Sequence, residues 1–178
     1  MPGLTSYFLD RTDFMGRTST SRRHPGTATI TILTDEWVRL DCHLSHSGFS
    51  DSVEVLTTEG APGTQWFYIQ VPAVNLEWHP FSLAGCGPSV VIKAAGDWTR
   101  RLHQVTSETP ESSLPVSIEG VFGNACPPWR PYARVLLIGG GVGVTPWLPM
   151  MTESLAGNED VPHSSLVWVA RDGTRSRL

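Results

Sequence analysis

Residues 135–146 read Val-Leu-Leu-Ile-Gly-Gly-Gly-Val-Gly-Val-Thr-Pro, a run of branched apolar side chains that ends abruptly in glycines. Because the run is apolar at every position, it predicts a buried parallel strand. Four of the next five residues are glycine, which permits a sharp turn and leaves the backbone without side-chain cover. Thr145 is a candidate helix N-cap and Pro146 suits the first helical position. The stretch therefore predicts a strand, a glycine turn and a helix N-terminus.

This turn has a functional and a structural interpretation. The free N–H groups and positive dipole end of a helix N-terminus suit a pyrophosphate. The alternative is a tight strand-to-helix turn of the kind found in any α/β domain. The usual dinucleotide fingerprint closes with a glycine three residues after its second glycine, and here Pro146 stands three residues after Gly143. This difference argues against an ordinary Rossmann dehydrogenase and favours a reductase with a Gly-x-Gly-x-x-Pro turn.

Further motifs precede the turn in a characteristic order. Residues 78–83 read Trp-His-Pro-Phe-Ser-Leu, and they follow a strand-like block at 62–72. Blocks at 91–102, which contains Gly-Asp-Trp-Thr, and at 118–123, Ile-Glu-Gly-Val-Phe-Gly, come next. In this order, the blocks resemble the cytosolic dehydrogenase portion of the ferric reductase and NADPH oxidase family over roughly residues 4–178. Residues 7–11 resemble the family segment that follows its last membrane helix.

The resemblance implies a flavin site at residues 79–82. In the family the His-Pro-Phe-Ser segment lies along the flavin with its hydroxyl near N5, so the resemblance makes Ser82 the candidate catalytic residue and His79 a flavin contact. The residues alone favour a turn histidine whose backbone is extended before Pro80. Phe81 and Trp78 could supply the flat apolar slot that a flavin needs.

The block at residues 96–99 predicts a helix start that could meet the FAD pyrophosphate. Asp97 is more commonly explained as an N-cap, and Lys93 is either an added charge or a solvent-side strand residue. The resemblance favours cofactor roles for Trp98 and Thr99. Val121 and Phe122 depart from the family's Gly-Pro-Tyr-Gly, which puts the fine positioning of the flavin or nicotinamide in doubt. The cofactor-binding candidates are His79, Pro80, Phe81, Ser82, Lys93, Gly96, Trp98, Thr99, Gly139, Gly140, Gly141, Val142, Gly143, Thr145, Pro146 and Arg171.

Composition limits the remaining possibilities. The chain has 178 residues, 40% of them hydrophobic, and a net charge of −4 with scattered basic residues, which makes nucleic acid an improbable partner. No stretch reaches the roughly 18 apolar residues of a membrane span, and the N-terminus does not resemble a signal peptide. The three cysteines, an odd number, suit a reducing compartment. Cys42 and His43 point to opposite faces of a predicted strand, so we expect no metal site.

Short alternating strands precede the glycine turn, and a strand–helix–strand pattern surrounds it. Six predicted strands and one helix at 97–105 indicate a small closed barrel, with the strands at 27–33, 38–44, 52–57, 65–71, 89–95 and 115–119. The family resemblance implies that this barrel is a Greek-key barrel of the ferredoxin reductase type. A strand at 134–138, a helix at 145–156 and a strand at 164–170 then indicate a partial α/β nucleotide-binding domain. We expect a juxtamembrane-like segment at 1–26, an FAD-binding barrel at 27–123, a proline-rich linker at 124–132 and a partial NADPH-binding domain at 133–178. One strand–helix–strand unit is less than a stable parallel sheet needs, so we expect the chain to be a fragment.

The preferred cofactors are FAD and NADPH. Arg171 and Asp172 adjoin after the last predicted strand, and residue chemistry alone leaves NADPH and NADH undecided; the resemblance favours NADPH through Arg171. It also implies electron transfer from NADPH through FAD to a haem-bearing membrane domain, then to ferric iron or dioxygen, at the cytosolic face of a membrane. Two alternatives stay open: a soluble flavin reductase serving a separate partner, and a non-catalytic FAD-binding remnant that acts as an interaction module.

Overall fold

The computed structural model describes residues 23–44, 65–85, 87–109, 113–123, 129–157 and 161–170. These residues form a six-stranded antiparallel sheet and a two-stranded parallel sheet. The antiparallel strands are β1 (Arg23–Thr34), β2 (Trp37–Leu44), β3 (Trp66–Gln70), β4 (His79–Ser82), β5 (Ser89–Lys93) and β6 (Ser113–Phe122), with helix α1 (Asp97–Glu108) between the last two. The parallel strands are β7 (Arg134–Gly140) and β8 (His163–Val169), joined by a 3₁₀ helix (Gly141–Trp147) and helix α2 (Leu148–Leu155).

The antiparallel sheet is a nearly closed barrel, as the sequence predicts. Its strand order is β4-β3-β6-β1-β2-β5, and the two edge strands, β4 and β5, contact each other. Alternate residues of each strand point inward; in β3, for example, Phe67 and Ile69 are fully buried. Helix α1 adds Trp98 and Leu102, one turn apart on the same face, to this core. Each fully buried side chain of this size stabilises the fold by roughly 1.5–3 kcal/mol.

The six strands are not the six that the sequence predicts. The predicted strand at 52–57 lies outside the described residues, and the sixth observed strand is β4. Pro80 hides this strand in the sequence, because proline cannot donate a ladder hydrogen bond and is tolerated only at sheet edges. Strand β4 is such an edge. His79 therefore lies in a strand rather than in a turn.

The predicted strand–helix–strand unit is confirmed, but the predicted burial of its first strand is wrong. Strands β7 and β8 pair in parallel from Arg134↔His163 to Gly140↔Val169. One face of the pair packs on α2 through Leu137 and Met150. On the other face Leu136 and Ile138 are 61% and 63% exposed, because no second layer covers it in the described part of the chain.

The helix after the glycines also begins differently from the prediction. Helical backbone starts at once, at Gly141, as a 3₁₀ turn, and the α-helix starts only at Leu148. Thr145 is not an N-cap, since its hydroxyl donates to the carbonyl of Val142 at 3.0 Å. Pro146 lies inside the 3₁₀ helix rather than at its first position. Neither this helix nor any other in the described ranges is long and apolar enough to cross a membrane.

Candidate functional site

A cleft separates strand β4 from the glycine turn. Its volume is about 360 Å³, within the 300–1,000 Å³ that is common for small-molecule sites. The fold thus brings together two motifs that lie some 60 residues apart in the sequence. The cleft is lined by Pro80, Phe81, Ser82, Val91, Ile92, Lys93, Ala95, Val142, Gly143, Thr145 and Pro146.

The four glycines of the turn are not equivalent. A Cβ at Gly139 would lie 2.9 Å from the Cα of Val144, so this glycine is needed for the turn to pack on its own strand. A Cβ at Gly140, Gly141 or Gly143 would meet nothing within 4 Å. Packing therefore does not require these three glycines, and they leave the backbone open to a ligand. Gly141 additionally has φ +51, a conformation that favours glycine.

Two tryptophans hold the turn from the protein side. Trp147 Nε1 donates to the Ile138 carbonyl at 3.1 Å, and Trp168 Nε1 donates to the Gly141 carbonyl at 2.9 Å. Trp168 also packs edge-on against Trp37 of the barrel, with ring centroids 6.4 Å apart. These contacts fix carbonyls of the turn, while the first amides of a 3₁₀ helix have no acceptor within that helix. Sequence reasoning missed Trp168, whose partners lie far away in the chain.

Strand β4 is backed by Trp98. The Trp98 ring lies 4.4 Å from the His79 ring and 5.8 Å from that of Phe81. Trp98 is only 7% exposed, so it is a core residue behind the strand and does not line the cleft. His79 Nε2 is buried and has no hydrogen-bond partner; the Glu77 carboxylate is 3.4 Å away. Trp78 lies outside the cleft lining, under the Arg23 guanidinium at 5.4 Å.

Lys93 lines the cleft and is also ion-paired. Its Nζ lies 3.1 Å from the Glu36 carboxylate and 5.7 Å from the centre of the Trp37 ring. The sequence left open whether Lys93 adds charge for the cofactor or is a solvent-side strand residue; in the structure it lines the cleft and its side chain is 33% exposed. The carboxylate of Glu36 offsets part of its positive charge.

Helix α1 begins beside this cleft at Gly96. Gly96 is the N-cap, so the N-cap prediction for Asp97 is wrong. The Thr99 hydroxyl instead accepts from the amides of Gly96 and Ala95 at 2.9 and 3.0 Å. Those two amides are therefore already satisfied. Arg100, which the sequence did not single out, adds a guanidinium that donates to the Ala95 carbonyl at 2.8 Å.

The end of strand β6 carries a buried carboxylate that sequence reasoning also missed. Glu119 is 1% exposed, and its Oε2 lies 3.9 Å from Arg23 Nε without a hydrogen-bond partner. Gly120, the next residue, has φ +87, and a Cβ there would lie 2.1 Å from the Phe122 ring. Phe122 stacks in turn on Trp66, with centroids 4.8 Å apart. The residues at the place of the family's Gly-Pro-Tyr-Gly thus form the end of strand β6, where the register with β3 shifts between Glu119 and Phe122.

Two remaining predictions concern Arg171 and the pair Cys42 and His43. Arg171 lies outside the described residues. Cys42 and His43 do point to opposite faces: Cys42 is buried, and His43 Nε2 lies 2.9 Å from the Thr29 hydroxyl. Burial, reinforced by neighbouring Asp41, raises the pKa of the Cys42 thiol to about 12. Among the described residues no group of three His, Cys, Asp or Glu side chains could hold a metal ion.

Comparison with known proteins matches one family model to each of the two segments that meet at this cleft. A family model described as an FAD-binding domain matches residues 56–126, and one described as a ferric reductase NAD binding domain matches residues 132–176. The first match contains strand β4 and the second contains the glycine turn. The chain belongs to the ferric reductase and NADPH oxidase family. It carries the FAD-binding and NAD(P)-binding portion of this family of oxidoreductases.

Curated relatives agree with this assignment. NADPH oxidase 1 of Mus musculus is 38% identical over 93 residues, which are 49% of this chain and 16% of the mouse protein. NADPH oxidase 3 of Homo sapiens is 33% identical over 63% of this chain and 20% of its own length. Ferric reduction oxidase 2 of Arabidopsis thaliana is 30% identical over 52% of this chain and 14% of its own. The chain therefore spans a fifth or less of the length of these relatives.

Solved structures support the fold. The ferredoxin reductase in carbazole 1,9a-dioxygenase superposes with a TM-score of 0.60 at 18% identity, covering 85% of this chain and 43% of its own. Ferredoxin-NADP+ reductase from Plasmodium falciparum also gives 0.60, at 12% identity, covering 90% of this chain and 63% of its own. The ferredoxin reductase-type architecture that the sequence predicts is confirmed.

Proposed function

We propose that this chain takes electrons from NADPH onto FAD and passes them towards a haem, with ferric iron or dioxygen as the final acceptor. The observation that carries the proposal is the shared cleft: strand β4 lines one side and the glycine turn lines the other. A nicotinamide nucleotide whose pyrophosphate binds at the turn and a flavin that binds along the strand would meet at this cleft. Bound flavin supplies the chemistry, since it accepts a hydride and can release electrons singly.

The cleft residues, together with neighbours such as His79 that are not part of its lining, fit both cofactors. On the nucleotide side, Gly140, Gly141 and Gly143 have open space where side chains would stand. An anionic pyrophosphate approaching there would meet the first amides and the positive end of the 3₁₀ helix. We assign nucleotide binding to this turn, with Val142, Thr145 and Pro146 forming its wall in the cleft. Gly139 has the separate task of letting the turn pack on strand β7.

On the flavin side, an apolar ring and polar atoms lie together. Phe81 supplies apolar surface in the cleft, and Ser82 places a hydroxyl there, which we assign to the flavin N5. The buried, unpartnered Nε2 of His79 would gain a partner from an anionic or polar group of the cofactor, which removes a penalty of about 1–3 kcal/mol. Lys93 and the start of α1, with Gly96 and Thr99, add positive potential beside it. Trp98 acts from behind, as the support of His79 and Phe81.

We place the functional boundaries as the sequence suggests. Residues 27–123 would form the flavin unit, joined by 23–26 because β1 already begins at Arg23, and 133–178 would form the nucleotide unit, with 124–132 between them and the residues before Arg23 next to a membrane. A haem-bearing membrane domain would then be the electron acceptor at the cytosolic face. Arg171 is our candidate for the 2′-phosphate of NADPH. The names of the relatives, NADPH oxidase and ferric reduction oxidase, support the choice of NADPH and of dioxygen or ferric iron.

Anaerobic spectroscopy on the purified chain tests this proposal. We expect the protein to bind FAD, to show the visible absorption of a bound flavin, and to bleach when NADPH is added. Flavin that binds but does not bleach would leave the non-catalytic interaction module as the better account. A folded chain that binds neither FAD nor NADPH in a calorimetric titration would refute both.

A further inference from the structure

Four side chains beside the flavin strand form a closed ring of contacts. Trp98 Nε1 donates to Asn75 Oδ1 at 3.0 Å, and Asn75 Nδ2 donates to Glu77 Oε2 at 3.0 Å. The same Glu77 oxygen lies 3.4 Å from His79 Nε2. The His79 ring then packs on the Trp98 ring at 4.4 Å, with 36° between the planes, which closes the circuit. We call these four residues the Asn75 ring.

The local sequence explains how the ring forms. The amides of Val74 and Asn75 both donate to the Val71 carbonyl, which reverses the chain before β4. The Glu77 amide donates to Asn75 Oδ1 at 3.0 Å, a side-chain turn that asparagine favours. The chain bends at Leu76, next to the hydrogen bond that joins the Asn75 and Glu77 side chains. His79 follows two residues later, at the start of β4. Trp98 reaches the same point from the first turn of α1.

We propose that Asn75 and Glu77 are positioning residues that hold the His79 ring in the orientation required for flavin binding. The inference rests on the proposed function, which assigns His79 to the flavin. Strand β4 is an edge strand, and the His79 side chain is 32% exposed, so backbone pairing alone does not restrict its rotamer. The stacking on Trp98 fixes the plane of the imidazole. Asn75 fixes Trp98 by accepting a hydrogen bond from its indole N–H. The Glu77 carboxylate lies 3.4 Å from His79 Nε2, which has no hydrogen-bond partner.

Gln70, the last residue of β3, provides a matched control for the same loop. Its Nε2 donates to the Leu76 carbonyl at 2.7 Å, so Gln70→Ala loosens the loop between β3 and β4 without touching the Asn75 ring. Asn75→Ala removes the hydrogen bonds of Asn75 with the Trp98 and Glu77 side chains, and also the acceptor of the Glu77 amide. Glu77→Ala opens the ring on its other side, at a residue whose side chain is 68% exposed, where folding is not at risk.

Calorimetric titration of the whole chain with FAD tests the proposal. Because a single hydrogen bond is worth about 0.5–1.5 kcal/mol, we expect Asn75→Ala and Glu77→Ala each to weaken FAD binding about three- to tenfold. Gln70→Ala should change it less than about twofold, and NADP+ affinity should stay constant in all three. If the ring acts as a unit, the double variant binds no worse than the weaker single one. Full additivity, or a Gln70→Ala effect equal to that of Asn75→Ala, would overturn the proposal.

Hydrogen exchange of the Trp98 indole N–H, followed by NMR, needs no cofactor. We expect protection in the wild-type chain and in Gln70→Ala, and its loss in Asn75→Ala. If the wild-type chain does not bind FAD, the proposed function fails. The indole exchange alone then shows whether Asn75 holds Trp98 in the Asn75 ring. Equal protection in Asn75→Ala and wild type would show that Asn75 does not hold Trp98, and the inference would be wrong.

Discussion

Alanine substitutions within the glycine turn distinguish the glycines that leave space for a ligand from the glycine that the packing of the protein requires. A Cβ at Gly140 or Gly143 meets nothing within 4 Å, and neither residue has a positive φ. Gly140→Ala and Gly143→Ala should therefore fold normally, with the free energy of unfolding within about 0.5 kcal/mol of wild type. If a pyrophosphate binds against this backbone, each new methyl group occupies its space.

The expected loss of affinity follows from the contact that the methyl group blocks. An amide bonded to a charged phosphate contributes about 1.5–3 kcal/mol, so NADP+ binding should weaken about ten- to one-hundredfold. FAD affinity should not change, because the flavin strand lies across the cleft. Isothermal titration with each nucleotide, together with thermal unfolding, measures both quantities.

Gly139→Ala is the contrasting variant. Its Cβ would lie 2.9 Å from Val144 Cα and 3.1 Å from two more backbone atoms, none of which can move as a side chain could. We expect it to lower stability by about 1–3 kcal/mol. The reasoning is refuted if Gly140→Ala and Gly143→Ala bind NADP+ as tightly as the wild type, or if they lose FAD equally.

Three further predictions concern residues that do not line the cleft. Trp168→Phe keeps the ring against Trp37 but removes the donor to the Gly141 carbonyl, so NADP+ affinity should fall about three- to tenfold while FAD affinity holds; equal losses of both nucleotides would contradict this. Gly120→Ala combines a φ of +87 with a clash against Phe122, and should cost about 1–3 kcal/mol of unfolding free energy, part of which Phe122→Ala should restore in denaturant titrations. The raised pKa of Cys42 means that its thiol should resist alkylation in the native chain at pH 8, measured by peptide mass spectrometry, and react once the chain is unfolded. Because the unfolded thiol loses its proton first, at an ordinary pKa of 9.0, this group's contribution to stability should decline as pH rises from 9 towards 12; labelling of native Cys42 at pH 8 would contradict the burial.

The largest difference between the sequence-based prediction and the structure concerns the burial of strand β7. The apolar run at 135–138 specifies a strand, because branched side chains favour extended backbone. It does not specify how many layers cover that strand. Leu136 and Ile138 are exposed because no described element packs on their face of the strand. Whether such an element is present depends on residues that are distant in the chain, not on the apolar run itself.

The start of the helix after the glycines is a second feature that the sequence predicts incorrectly. Thr145 and Pro146 have the side chains of a helix N-terminus, and the sequence places the N-cap there for that reason. The structure starts the helix four residues earlier, at Gly141. Trp168 donates to the carbonyl of that residue from strand β8, a long-range contact that no local pattern contains.

The sequence by itself determined the chemistry of this protein: a glycine turn after an apolar strand, a His-Pro-Phe-Ser segment and a helix start, each encoded by neighbouring residues and their backbone preferences. The tertiary structure alone decided that Phe81 and Ser82 face Val142 and Gly143 across one cleft, that Trp98 supports His79 from the core, and that Asn75 ties the two together. The physical reason is that backbone conformation is set mainly by adjacent side chains, whereas contacts across a cleft depend on packing between segments that are far apart in the chain.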